Sequence, residues 1–260
     1  MNYRDLIHFD TGAAVVRQDV PASEPTRLLA ARMVKKSPEQ ATLVRGHLSR
    51  FTKFFDGMSE RMEEFVALFP IHPDSLAALE KIPFIQPPDI LQWLAEEVRK
   101  LLDKPVPENS PGLIGYDRFW DYLCRQPEFQ KLPDVEAVVY CNKTLAAAFE
   151  KNWTRAEWQP TAQQILHALL VHRLTTGDIY NQHGATPAEL RDTLCLPPFG
   201  VEISSGDPAA ALESRVAEIL AELRKVAGEK SIFFIRTLTN TAFTSRNSNG
   251  LSNLSWSCTG

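Results

Sequence analysis

Residues 161–174 read Thr161-Ala162-Gln163-Gln164-Ile165-Leu166-His167-Ala168-Leu169-Leu170-Val171-His172-Arg173-Leu174. Ile165, Leu166, Leu169, Leu170, Val171 and Leu174 place apolar groups on several faces of a helix, not on one stripe. A helix that is apolar nearly all round belongs in the middle of a helical core. This stretch therefore predicts a mainly α fold organised around one central buried helix.

Downstream, Thr186-Pro187-Ala188-Glu189 is a helix start. The threonine accepts from a free N–H, the proline sits where no donor is needed, and the glutamate reaches back to the cap. It opens a short helix to about Leu196. Asp207-Pro208 opens a long one, with Leu212, Val216, Ile219, Leu220, Leu223 and Val226 at alternating spacings of three and four and Gly228 as its C-cap. Ser231–Arg236 then reads as a strand. Helix, short helix, long helix and strand is the order of a winged helix-turn-helix. Its second wing strand is absent, because residues 237–260 are rich in Thr, Ser and Asn without periodicity.

Upstream, Ser37-Pro38-Glu39-Gln40 repeats the same capping grammar before Leu43, Val44, Leu48 and Phe51. Further helices are predicted from Ser59 to Phe69, Asp74 to Lys81, Asp89 to Leu102, Tyr116 to Cys124 and Val135 to Lys151. Thr154-Arg155-Ala156-Glu157 offers another capping box. Pro105, Pro107, Pro111 and Gly112 make residues 103–112 the best boundary within the chain. Pro21 and Pro25 break residues 1–26 into an irregular leader.

Composition narrows the function. Of 260 residues, 44 % are hydrophobic and 23 % charged, with a net charge of −4, which argues against a broad nucleic-acid-binding face. The long helix carries Glu213, Arg215, Glu218, Glu222, Arg224 and Lys225, a neutral-to-acidic set unsuited to neutralising phosphates. Cys124, Cys141, Cys195 and Cys258 form no CxxC pair, so no zinc ribbon or thioredoxin-type centre is expected. No apolar run reaches the roughly 18 residues of a membrane span, and the N-terminus shows no signal-peptide core. The expectation is a cytoplasmic protein with no membrane contact.

No phosphate-binding Gly-x4-Gly-Lys-Ser/Thr loop, GxGxxG or HExxH motif occurs. No catalytic residue and no metal ligand is nominated. His167 and His172, five apart on one helix, point in different directions. His72, between Pro70 and Pro73 and ahead of a helix, is the one histidine weighed as a nucleotide or domain contact, against a buried capped turn. Asp178 and Tyr180 after Gly177 read as turn chemistry. Glu63-Glu64 and Glu96-Glu97 read as solvated helix faces.

Five signatures run in order through the chain: Lys35–Gln40, Leu68–Asp74, Val106–Asp117, Val171–Tyr180 and Gly184–Arg191. Over about Arg27 to Gly228 the chain resembles the interior of the large P-loop (AAA+/STAND-like) ATPases of bacterial phage-defence islands, related to the PglY/BrxC-type ATPase of BREX systems. The resemblance implies a helical lid-like unit over residues 27–105, a helical connector over 106–158, a winged-helix-like unit with an incomplete wing over 159–236, and a disordered or out-of-frame tail over 237–260. It implies ATP and Mg only for the full-length family, bound upstream of this segment, and an ATPase core or other defence-system proteins as partners. Pro88 stands where a sensor arginine is expected, which departs from the family pattern. The implied function is a non-catalytic lid/winged-helix fragment, as from a truncated or split gene. A stand-alone winged-helix DNA-binding regulator is the alternative, and an enzyme with a site between the two halves is a third reading for which no residue speaks.

Overall fold

A computed structural model describes residues 1–10, 25–175, 185–198 and 206–238, with side chains described as far as 227. Every helix start that the capping grammar announces at a Ser/Thr-Pro pair is made. Ser37 caps α3 (Pro38–Leu48), with α1 and α2 described below. Its Oγ accepts from the Gln40 N–H at 3.2 Å, and its own N–H donates to Gln40 Oε1 at 2.9 Å. Helices α4 (Met62–Leu68), α5 (Pro73–Leu79) and α6 (Pro87–Leu101) complete the first bundle. Helix α6 buries Ile90, Leu91, Trp93, Leu94, Val98 and Leu101 along one stripe. Its first turn is closed by Asp89 Oδ2, which accepts from the Gln86 N–H at 2.9 Å.

The first ten residues correct the expectation of an irregular leader. A helical turn, α1 (Tyr3–Leu6), is followed by strand β1 (His8–Phe9). Strand β1 pairs antiparallel with β2 (Val34–Lys35), which follows α2 (Thr26–Met33). Tyr3, Leu6 and Ile7 are buried. The reason is non-local: the Tyr3 ring stacks on Phe69 with centroids 5.7 Å apart, and the Tyr3 and Arg4 N–H groups donate to the Lys104 and Leu102 carbonyls. Lys36 continues this layer, its ammonium donating to the Val34 carbonyl at 2.7 Å and to the Ala67 carbonyl at the end of α4 at 3.0 Å. A cation at a helix C-terminus satisfies carbonyls that lack a partner within the helix. Burial lowers the Lys36 pKa to about 7.

The proline-rich connection at 103–112 is stitched into the bundle. The Val106 N–H donates to the Met1 carbonyl, and buried His47 Nε2 lies 3.1 Å from the Pro111 carbonyl. Ile71 and Ile114 form a parallel bridge, with the Ile114 N–H on the Pro70 carbonyl at 2.7 Å. Gly112 has φ +71°, and a Cβ there would fall 2.4 Å from Tyr3 Oη, so glycine is required on both counts. Prolines here spare the connection from needing N–H partners; they do not make it a loose hinge.

After the 3-10 turn Tyr116–Arg118 come α7 (Phe119–Arg125), α8 (Pro127–Gln130), α9 (Pro133–Asn152) and, beyond the turn Ala156–Trp158, α10 (Gln159–Leu174). Helix α10 is the central helix its sequence predicts, touching α7, α9 and the turn at Tyr116. It buries Ile165, Leu166, Leu169, Leu170, Val171 and Leu174. No capping box forms at Thr154. The chain waits until Gln159-Pro160 to enter α10, because Trp158 is held between the guanidinium groups of Arg155 and Arg215, 4.0 and 4.6 Å from its ring centre.

Helices α11 (Pro187–Leu194) and α12 (Pro208–Leu238) close the structure. Thr186 caps α11 as predicted, its Oγ1 accepting from the Glu189 N–H at 3.2 Å. Helix α12 packs on α9, α10 and α11. The strand expected at Ser231–Arg236 is helical, and Gly228 lies inside α12 instead of ending it. A glycine in a helix interior costs only about 1 kcal/mol relative to alanine, and a short apolar run cannot be told from a helix by pattern alone. The second part of the chain is thus three packed helices without the predicted strand. Residues 239–260, most of the tail from 237, lie outside the described residues. Buried side chains from Tyr3 to Ala227 form one contiguous core, with Trp93, Trp120, Phe69 and Phe119 as its largest enclosed aromatics.

Candidate functional site

The Pro70–Pro73 turn and helix α11 meet across a buried polar seam. Pro73 fixes the first residue of α5 and leaves His72 as its N-cap. His72 is wholly enclosed. Its Nδ1 accepts from the Asp74 N–H at 3.1 Å, which assigns the proton to Nε2, and Nε2 donates to the Asp192 carbonyl at 3.0 Å. The ring stands edge-on to Phe65 at 5.1 Å. Burial, only partly offset by Asp74 and the Asp192 carbonyl, pushes the imidazole pKa down to about 4.

Asp74, two residues on, takes both arms of Arg61: Nη2–Oδ1 at 2.7 Å and Nη1–Oδ2 at 3.2 Å. Burial alone would raise its pKa; the Arg61 bonds and the neighbouring cations outweigh it and hold the carboxyl below its ordinary range. Arg61 also grips Glu64, which pairs with Arg27.

Arg191 lies at the other end of the seam, on α11 between Leu190 and Leu194. Its side chain is 1 % exposed. Nη2 reaches Asp56 Oδ2 at 2.6 Å and Asp192 Oδ2 at 2.7 Å, and Nε reaches Asp192 Oδ1 at 2.7 Å. Nη1 donates to the Ala209 carbonyl at 3.1 Å and stands 3.5 Å from Glu213. One guanidinium thereby ties the loop after α3, helix α11 and the first turns of α12. The planar five-donor fork of arginine allows this, whereas a lysine ammonium does not. The Asp56 N–H closes the ring by donating to Asp192 Oδ1 at 3.1 Å.

A cleft of about 260 Å³ opens beside this seam, lined by Asp74, Lys81, Tyr116, His172, Glu189 and Thr193 among others. Burial raises the Tyr116 phenol to about 12, against the opposing hydrogen bond from Thr193. Cys195 caps α11 in the left-handed conformation at φ 45°. Burial pushes its thiol well above the ordinary range, so it is not an activated nucleophile.

His72 spends both ring nitrogens on the backbone. Pro88 is exposed at the second residue of α6 and has no N–H or charge for a phosphate. His72 and Pro88 therefore offer no free donor or charge to a phosphate. Among the described residues, no group of three metal-ligand side chains occurs. His167 stands 3.9 Å from Asp121 whereas His172 lines the cleft, so the two face different surroundings. Asp178 and Tyr180 lie outside the described residues. Glu63 pairs with Arg45 and Glu96 faces Arg125. Glu97, expected to be solvated, is buried instead because Lys100 and Arg118 neutralise it.

Among the described residues of α12, the acidic side chains pair within the chain. Glu213 faces Arg191, Glu218 stands 4.0 Å from both Arg155 and Arg215, and Glu222 pairs with Lys225. Sequence reading did not nominate Arg61, Arg191 or Asp117. Arg191 had one legible signal: it interrupts the apolar positions Leu190 and Leu194 of a short, well-capped helix.

These features define a class: a mainly helical module with one continuous core and a buried, hydrogen-bonded polar seam. The chain belongs to the family described as the DUF6079 second domain, whose model matches residues 37–243. No curated protein and no solved structure matches it. No helix among the described residues is long and apolar enough to cross a membrane.

Proposed function

We propose that this chain is the non-catalytic lid and helix-turn-helix portion of a large bacterial phage-defence ATPase, acting as a rigid lever behind a nucleotide-binding core. The ordered signatures support the parentage. The family's description as a second domain supports a place behind a first one.

The observation that carries the mechanical role is the seam. His72 and Arg191 bind the lid-like bundle to the last helices through enclosed, fully partnered groups. Breaking such a group open leaves a buried charge or donor without a partner, at several kcal/mol. A displacement imposed on the bundle is therefore transmitted to α11 and α12 and not absorbed between them. The ATP and Mg chemistry belongs to the core, and partners are that core and other components of the defence system. The stand-alone DNA regulator is weaker, because the net charge is −4 and Glu213, Glu218 and Glu222 give the described face of α12 no basic excess for a duplex.

Sequencing the locus with its flanks, translated in all frames, tests the parentage: a phosphate-loop-bearing frame upstream is expected. An isolated gene with its own promoter and no ATPase neighbour overturns it. Steady-state ATP hydrolysis is the biochemical counterpart. The chain alone is expected to show none, and turnover by the purified chain would contradict the assignment.

A further inference from the structure

A second cleft, of about 320 Å³, opens at the C-terminal end of α11, where α1, the end of α6, the proline-rich connection and the chain after α11 converge. Its polar lining includes Lys104, Ser110, Arg118 and Gln164, and no carboxylate lines it among the described residues. Leu101, Pro105, Pro107, Leu113, Leu194 and Pro197 supply flat apolar walls.

The cleft is held open by the fold. Lys104 is pinned on both sides of its peptide, its N–H on the Leu101 carbonyl at 2.8 Å and its carbonyl under the Tyr3 N–H at 3.2 Å. Tyr3 Oη donates to the Gly112 carbonyl at 2.7 Å, which fixes the opposite wall. The Lys104 side chain is exposed and has no acidic partner among the described residues; neighbouring Asp103 is taken by Arg4 at 2.8 Å. Arg118 has one ion pair, a long one of 3.7 Å to Glu97, and Glu97 is already occupied by Lys100. Asp117 stands behind Arg118 as a buried carboxyl outside the lining.

We infer that this cleft binds a phosphorylated small molecule of about nucleoside-monophosphate size. A guanidinium fork, an unpaired ammonium, a hydroxyl and an amide are the donors that recognise a phosphate oxyanion. The volume is at the small end for a ligand pocket, and apolar walls beside a few convergent polar groups are its usual make-up. The site is distinct from the place where a sensor arginine is missing. Pro88 and the lining residue Leu101 lie at opposite ends of α6, about 20 Å apart by helix rise, and Lys104 follows beyond Leu101.

The test is ligand-observed NMR on the full chain with inorganic phosphate, AMP, adenosine and a short single-stranded oligonucleotide without terminal phosphates. Binding of AMP is expected, competed by inorganic phosphate and weakened by salt, with adenosine silent. Lys104→Ala is expected to weaken AMP about tenfold, the loss of one charge-assisted contact, while Lys104→Arg retains it. Lys104 is exposed, so neither variant threatens the fold. The inference is overturned if AMP gives no response up to roughly 10 mM, which is beyond useful affinity. Equal binding by Lys104→Ala and the parent overturns it too, as does a response to adenosine or the oligonucleotide alone.

Discussion

Replacing Asp117 by Asn removes a charge that the fold holds at a cost. Asp117 sits on the 3-10 turn before α7 and is 6 % exposed. One carboxylate oxygen, Oδ1, makes no hydrogen bond and lies 2.2 Å from where a Cβ on Gly115 would stand. Burial raises its pKa from 3.8 to about 6, against the opposing pull of Arg118 and Gln164. A group whose folded pKa is raised stabilises the protonated fold, and that stability is lost as pH climbs from 3.8 through 6. Holding the ionised carboxylate in that buried place costs on the order of 3 kcal/mol above pH 7. His72 runs the opposite way, its folded pKa lowered from 6.5 to about 4, so its share of stability is present above 6.5 and lost as pH falls through 4. Between pH 8 and pH 5 the Asp117 contribution to stability rises while those of His72 and Lys36 fall, so Asp117 opposes the other two. Asp117→Asn removes the opposing contribution and leaves the losses at His72 and Lys36. Urea unfolding of parent and variant at pH 5 and pH 8 measures this. The variant's advantage should be larger at pH 8 than at pH 5, by on the order of 1 kcal/mol. An advantage that is constant with pH, or that shrinks as pH rises, refutes the assignment of a buried, poorly satisfied carboxyl.

Arg191→Met leaves Asp56, Asp192 and Glu213 facing each other without their cation and should cost about 3 kcal/mol in urea unfolding. A loss below 1 kcal/mol would mean that the carboxylates simply turn to solvent. Gly112→Ala must adopt a left-handed φ and displace Tyr3 Oη; a loss of about 2 kcal/mol by thermal unfolding is expected, and Tyr3→Phe should not rescue the φ part of it. Cys195 should resist a thiol reagent at pH 7.5 until the chain unfolds, while the half-buried Cys124 and Cys141 react earlier; mass mapping of labelled peptides decides, and early labelling of Cys195 would contradict its burial.

Local chemistry made much of the helical architecture legible. Ser37 and Thr186 followed by proline announce their helices because capping needs only four consecutive residues. The all-round apolar character of 161–174 marks the central helix before any neighbour is known. The strand at Ser231–Arg236 was misread because a short apolar run carries no period of its own. The turn and strand within residues 1–10, and the bonds that tie down the proline-rich connection, are not legible in the sequence because Tyr3, Met1, Lys104, Val106 and Gly112 are far apart in sequence and act only when joined.

The same division runs through the functional groups. The turn that holds His72 follows from two prolines and the helix start, and the lack of a phosphate loop is plain in the sequence. That the imidazole donates to the Asp192 carbonyl, 120 residues on, depends on the packing of α5 against α11. Arg191, Asp56 and Glu213 become one network, and Lys104, Arg118 and Gln164 one cleft, only through tertiary contacts. Capping and periodicity are energies of neighbouring residues, so the sequence by itself determined the helices and their buried faces. A charge acquires its partner, its burial and its pKa from groups brought near by the whole core, and only the tertiary structure decides those.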